Sequence, residues 1–163
     1  MQIPKVSSPK VHKYLSDPKF KKEFETKYEV NRSYDIPYIA GYSEDDKTIF
    51  IDRHFNKMFN GKDIEPYIFI HEKAEKALID QFGLHYQVAH HIATHLERLT
   101  LDKDGLNWDK YEKFLMNQYK HIGHEKLQKI PQNLDITPYK DEKDFHLLRQ
   151  MKNNATNDSD KKS

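Results

Sequence analysis

The stretch Glu65-Pro66-Tyr67-Ile68-Phe69-Ile70-His71-Glu72-Lys73-Ala74-Glu75-Lys76-Ala77-Leu78-Ile79-Asp80-Gln81-Phe82-Gly83 decides the fold. Pro66 is tolerated in a first helical turn, and Gly83 is a stop, so the pattern predicts a helix from about Glu65-Pro66 to Phe82. Setting His71 at zero and advancing about 100° per residue places Glu75 near 40°, beside Tyr67, Leu78 and Phe82. Lys73, Lys76 and Asp80 fall on the opposite side, with Glu72 at the flank of the inward face. His71 and Glu75 therefore point inward, and a buried carboxylate requires a compensating partner.

That partner is expected on the next segment, a second helix from about Tyr86 to Leu101, ended by Gly105. On its wheel His90 and Glu97 share a direction with Ala93, next to an apolar face of Val88, Ile92, Leu96 and Leu99. His91 and His95 have metal-ligand spacing but group with Gln87 and Arg98 on the watery side. Ala89 and Ala93 would let the two helix backbones approach.

Working outward, Trp108 to Ile122 reads as a third helix, with Trp108, Tyr111, Leu115 and Tyr119 as its apolar positions. Upstream, Tyr38 to Tyr42 and Thr48 to Asp52 flank the polar run Ser43-Glu44-Asp45-Asp46-Lys47 and read as a β-hairpin. Residues 53–64 read as a connection. Ser16-Asp17-Pro18 starts a short helix carried to Tyr28 by Phe20, Phe24 and Tyr28. Pro131 to Pro138 reads as extended, and 142–151 as a last short helix. The expected organisation is an irregular segment over 1–16, a single domain over 17–151, and a disordered tail over 152–163. The fold class is α+β, mostly helical, with a small antiparallel hairpin or sheet packed on a helix pair.

Composition narrows the chemistry. The 163 residues contain no cysteine, which excludes disulfides, thiolate metal sites and thiol nucleophiles. Any metal must be held by histidine, carboxylate or water. Twenty-seven basic and 26 acidic residues leave a net charge of +1, giving no field to attract nucleic acid or an anionic membrane. No signal-type apolar run and no membrane-length apolar stretch occurs, so a cytoplasmic protein is the expectation.

Two facing helices that each offer an inward His and Glu could build one polar site. A mononuclear zinc site needs three protein ligands and an open position. His71 and Glu75, at i and i+4, can supply two, and His90 the third. Glu72 is placed to take a proton from water. Glu97 could be a fourth ligand or a partner orienting His90, and His54, in Asp52-Arg53-His54, is an alternative ligand. The plain alternative is a His71–Glu75 pair that satisfies itself and specifies helix docking.

The strand Ile49-Phe50-Ile51-Asp52, a connection, and then a helix with His71-Glu72-Lys73-Ala74-Glu75 resemble the core of minimal zincin metallopeptidases. In that family the helix carries H-E-x-x-H and a later helix adds a ligand. The resemblance implies that His71 is the first ligand and Glu72 the catalytic glutamate. Glu75 stands where the second histidine would be, making an H-E-x-x-E variant. Tyr86-x3-His90-x2-Ala93-x3-Glu97 also resembles uncharacterised small bacterial and phage proteins, over roughly residues 34–140. The functional expectation is a zinc-dependent, zincin-like hydrolase with a peptide or protein as substrate, and with no nucleic acid and no membrane as partner. An edge strand of the hairpin could pair with an extended substrate. The alternative is a non-enzymatic protein-interaction module whose His/Glu cluster is structural.

Overall fold

The computed structural model describes residues 9–123 and 127–156. Residues 1–8 of the expected irregular segment, His124, and residues 157–163 of the expected tail lie outside them. Contacts divide the chain into two compact units, one of Met1–Lys27 with Lys57–Glu112 and one of Tyr28–Asn56 with Lys113–Ser163. The class is α+β, dominated by helices. No helix among the described residues is long and apolar enough to cross a membrane.

The first unit is built on the two long helices. α1 (Pro9–Leu15) falls where irregular chain is expected. Seven residues are too few to hold a helix alone, and what holds this one is burial of Leu15, with Val11 and Tyr14 packed on the core. α2 (Pro18–Phe24) begins as Ser16-Asp17-Pro18 predicts: the Asp17 carboxylate accepts from the Lys19 N–H at 2.8 Å. It ends at Phe24 rather than Tyr28, because Glu29–Asn31 is drawn into a strand.

α3 (Glu65–Phe82) and α4 (Tyr86–Lys103) match the expected helices closely. Gly83 ends α3 in the left-handed conformation, φ 61°, its N–H bonded to Ile79 O at 2.9 Å. His85 caps α4, its Nδ1 accepting from the Gln87 N–H. Ala74 and Ala77 on α3 and Ala89 and Ala93 on α4 are fully buried in one cluster with Leu78, Ile92 and Leu96. Four side chains that end at Cβ let the backbones come close. Two residues depart from the wheels: Val88 is exposed, and Lys76 is buried, with its ammonium 3.3 Å from Asp80.

The expected connection before α3 contains a further hairpin, β4 (Met58–Phe59) with β5 (Lys62–Asp63). Its turn residues, Asn60 (φ 49°) and Gly61 (φ 77°), are both left-handed, the arrangement an Asn-Gly pair favours in two-residue hairpins.

The second unit holds a mixed sheet. β2 (Ala40–Tyr42) and β3 (Thr48–Ile51) form the expected antiparallel hairpin, and β1 (Glu29–Asn31) adds to β3 in parallel. β2 starts at Ala40 rather than Tyr38 because Tyr38 (φ 60°) and Ile39 (φ 75°) are left-handed and cannot extend it. Its outer edge is covered: Tyr42 O accepts from Asp135 N at 2.8 Å, and Ser43 bridges Leu134. That edge is closed to the extended substrate considered above. A Cβ on Gly41 would lie 2.9 Å from Leu134 Cδ1, so a larger residue there would have to displace the Leu134 side chain.

α5 (Trp108–Gly123) has the expected bounds, but of its expected apolar positions Tyr111 is buried, Trp108 and Leu115 are half-buried, and Tyr119 is exposed. Pro131 to Pro138 is not one extended run. It contributes β6 (Ile130–Pro131) and then the start of α6 (Thr137–Asp141), whose first N–H is taken by the Asp135 carboxylate. α7 (Phe145–Asn154) passes the expected end at 151, and β7 (Ala155–Thr156) pairs with β6 in parallel. Ile36, Phe50, Leu127, Ile130, Leu134, Tyr139 and Met151 close this unit's core.

Asp35 ties the second unit's two segments together. Its carboxylate accepts from Arg53 Nε at 2.6 Å and from the N–H groups of Gln128 and Lys129 at 2.8 and 2.9 Å. Burial would raise its pKa, but the Lys129 N–H, the Arg53 guanidinium and the Gln128 N–H together hold it below the usual value. We expect Asp35→Asn to leave buried donors facing an amide and to cost about 3 kcal/mol, lowering Tm by about 10 °C. A thermal melt within a degree or two of wild type would show that the tie is dispensable.

Candidate metal centre

Three polar atoms converge between α3 and α4. Glu75 Oε2 lies 3.0 Å from His71 Nε2 and 3.0 Å from His90 Nδ1, and the two nitrogens are 3.2 Å apart. Helix geometry explains the placement: His71 and Glu75 are one turn apart on the buried face of α3, and His90 meets them from the first turns of α4. His71 and Glu75 are buried, whereas the His90 side chain is 41% exposed, so the cluster reaches solvent on its α4 side.

Glu97 completes His71 from behind. Its Oε1 lies 2.9 Å from His71 Nδ1. It therefore orients His71 and not His90. Tyr111, on the first turn of α5, donates its hydroxyl to Glu97 Oε2. Tyr86 places its hydroxyl 3.2 Å from His90 Nδ1, with the two rings 5.2 Å apart.

Proton counting shows what this arrangement demands. If His71 gives its Nδ1–H to Glu97, its Nε2 carries a lone pair in the neutral ring. That lone pair faces the Glu75 carboxylate and the second imidazole, both rich in electrons. His90 Nδ1 has a single in-plane direction, yet Glu75, His71 and Tyr86 all crowd it. A proton on His71 Nε2 or on His90 Nδ1, donated to Glu75, relieves the repulsion, and so would a metal cation.

The acid–base shifts follow the same demand. Burial alone would lower the His71 pKa, but Glu75 and Glu97 beside it raise it well above the ordinary imidazole value. Burial would raise Glu75, but hydrogen bonds from His71 and His90 bring it down to about 2. Glu72 behaves oppositely. Desolvation, then repulsion from Glu75, raises its pKa well above 4.5, against the pull of His71. Its carboxyl is buried, and no described residue hydrogen-bonds to it.

Sequence reasoning named five of these residues, and four of them, His71, Glu75, His90 and Glu97, are joined directly. His54 is engaged elsewhere. It belongs to the second unit, where its N–H donates to Asp52 Oδ2 and its Nε2 sits 3.9 Å from Asp35 Oδ1. His91 is exposed. The sequence marks Tyr86 as the start of the second helix and Tyr111 as an apolar position of the third, and neither as a partner of the cluster. Spacing carries the signal for Tyr86, one turn before His90, whereas nothing local marks the Tyr111 hydroxyl.

As a metal site the donors fit. His71, Glu75 and His90 each offer one ligand atom, all within 4.8 Å of one another. Three ligands about 2.0–2.1 Å from a tetrahedral zinc are about 3.3 Å apart, a few tenths of an ångström wider than the spacing here. Two imidazoles and one carboxylate suit zinc and neighbouring first-row divalent ions. Comparison with protein-family models, with curated proteins and with solved structures gives no match for this chain.

The metal-free protein should be pH-sensitive in two directions. Glu75 contributes stability above about pH 4.5 that is lost as pH falls toward 2, since its folded pKa is depressed. His71 contributes stability below about 6.5 that is lost as pH rises through its elevated folded pKa. Glu75→Gln should cost about 1–3 kcal/mol at neutral pH and flatten the acid limb. Melting curves of wild type and variant from pH 2 to 9 test this, and parallel acid limbs would contradict it.

Proposed function

We propose that this chain is a zincin-like, zinc-dependent hydrolase acting on a peptide. The observation that carries the reading is the convergence of His71 Nε2, Glu75 Oε2 and His90 Nδ1, three atoms of metal-ligating types 3.0–3.2 Å apart. These three would hold the metal. A bound zinc would polarise a substrate carbonyl and acidify water.

The protein's own groups account for the remaining steps. Glu97 holds His71 with Nδ1 occupied, which keeps Nε2 available. Glu72 follows the first ligand in sequence and is buried without a hydrogen-bonding partner among the described residues. It takes a proton from the attacking water and returns it to the leaving amine. A carboxyl raised toward neutrality suits both halves of that task. The exposed side of His90 leaves the centre a route to solvent. The order His71-Glu72-x-x-Glu75 on one helix, with a ligand from the next, supports a peptide as the substrate through its resemblance to the zincin core.

One observation favours a second reading. Both ring nitrogens of His71 already contact carboxylates, so a protonated His71 between Glu75 and Glu97 forms a closed network. The cluster would then specify helix docking in a non-enzymatic interaction module.

Elemental analysis of protein purified without a metal-affinity column separates the two. The hydrolase reading expects about one zinc per chain. Glu75→Gln should lose it, while Glu72→Gln should keep it and lower peptide hydrolysis by about 10²–10⁴-fold. A metal-free wild type, with Glu75→Gln destabilised and Glu72→Gln silent, would leave the structural reading standing.

A further inference from the structure

A buried carboxylate can orient a histidine only if its own plane is held. The terminal torsion of glutamate is broad and two-fold, so one hydrogen bond leaves the group free to turn. Glu97 is buried, and its two oxygens are used separately, Oε1 by His71 Nδ1 and Oε2 by the Tyr111 hydroxyl. Two donors on two oxygens fix the plane.

The Tyr111 hydroxyl is itself fixed by its ring. Tyr111 is fully buried, edge-on to Phe59 at 6.2 Å and to Tyr67 at 6.1 Å, with Trp108 at 5.4 Å. A phenylalanine would fill the same volume and keep these ring contacts. Packing therefore does not account for the oxygen, whereas Glu97 does.

We propose that Tyr111 is a positioning residue for the His71 centre: its hydroxyl on Glu97 Oε2 commits Glu97 Oε1 to His71 Nδ1–H and so holds His71 Nε2 toward Glu75 and His90. The chain runs from α5 through α4 to α3 within the first unit. Its consequence for zinc rests on the metal-centre reading above, whereas the relay itself does not. Partners one step removed from a ligand commonly change metal affinity 10–100-fold when removed.

Two measurements test it. In the metal-free wild type, nitrogen-15 NMR should find His71 Nδ1 protonated, with that proton shifted downfield by the carboxylate and slow to exchange. Tyr111→Phe should move it upfield and speed its exchange. A His71 Nδ1 without a proton, or a resonance unmoved in Tyr111→Phe, overturns the relay whether or not zinc binds. In competition titrations with zinc, Tyr111→Phe should raise Kd about 10-fold and Glu97→Gln about 10–100-fold. The double variant should be within about 2-fold of Glu97→Gln alone, because Tyr111 acts through Glu97. Multiplied effects, or a wild-type Kd in Tyr111→Phe, overturn the proposal. If zinc fails to bind wild type while the NMR outcome holds, the relay stands and the hydrolase reading falls.

Discussion

Three carboxyl groups, Glu72, Glu75 and Glu97, are buried where α3 meets α4, and the structure of that region follows from what they need. An uncompensated buried carboxylate is too costly to keep. The compensation is local. His71 stands between Glu75 and Glu97, His90 backs Glu75, Tyr111 backs Glu97, and Glu72 is driven toward its neutral form. The alanines at 74, 77, 89 and 93 bring the two helices close enough for single hydrogen bonds to span them. Bulkier residues there would separate His71 from His90.

The two units treat buried acids differently, and that contrast marks the site. In the second unit Asp35 and Asp52 are saturated. Asp35 takes Arg53 and two backbone N–H groups, and Asp52 takes the N–H groups of Ile36 and His54. These acids hold chain segments together and have little left to give. In the first unit one carboxylate oxygen of Glu75 is shared by two imidazoles, and Glu72 has no hydrogen-bond partner among the described residues.

Regular periodicity made much of this legible. The bounds of α3, α4 and α5 are legible to within a residue or two at nearly every end because each is long and has a glycine or proline at or near one end. The same wheels put His71, Glu75, His90 and Glu97 on inward faces. Short elements were less legible, for physical reasons. α1 exists because Leu15 is buried, and β1 because β3 offers it a ladder, neither of which is visible in seven or three residues. The β4–β5 hairpin does have a local signal in the sequence, the Asn60-Gly61 pair, which suits a two-residue turn.

What the sequence by itself determined is the chemistry on offer: histidine and carboxylate but no thiol, two amphipathic helices in succession, and the face on which each polar residue lies. A helical wheel is a property of local geometry, so it needs no tertiary information. Tertiary structure alone decided the pairings. Whether Glu97 serves His71 or His90, whether the Tyr111 hydroxyl meets a carboxylate, and whether His54 joins the cluster or sits with Asp35 all depend on how separate elements rotate and dock. Those contacts join residues 14 to 26 apart in the cluster and are set by side-chain packing between helices, which periodicity within one helix does not encode.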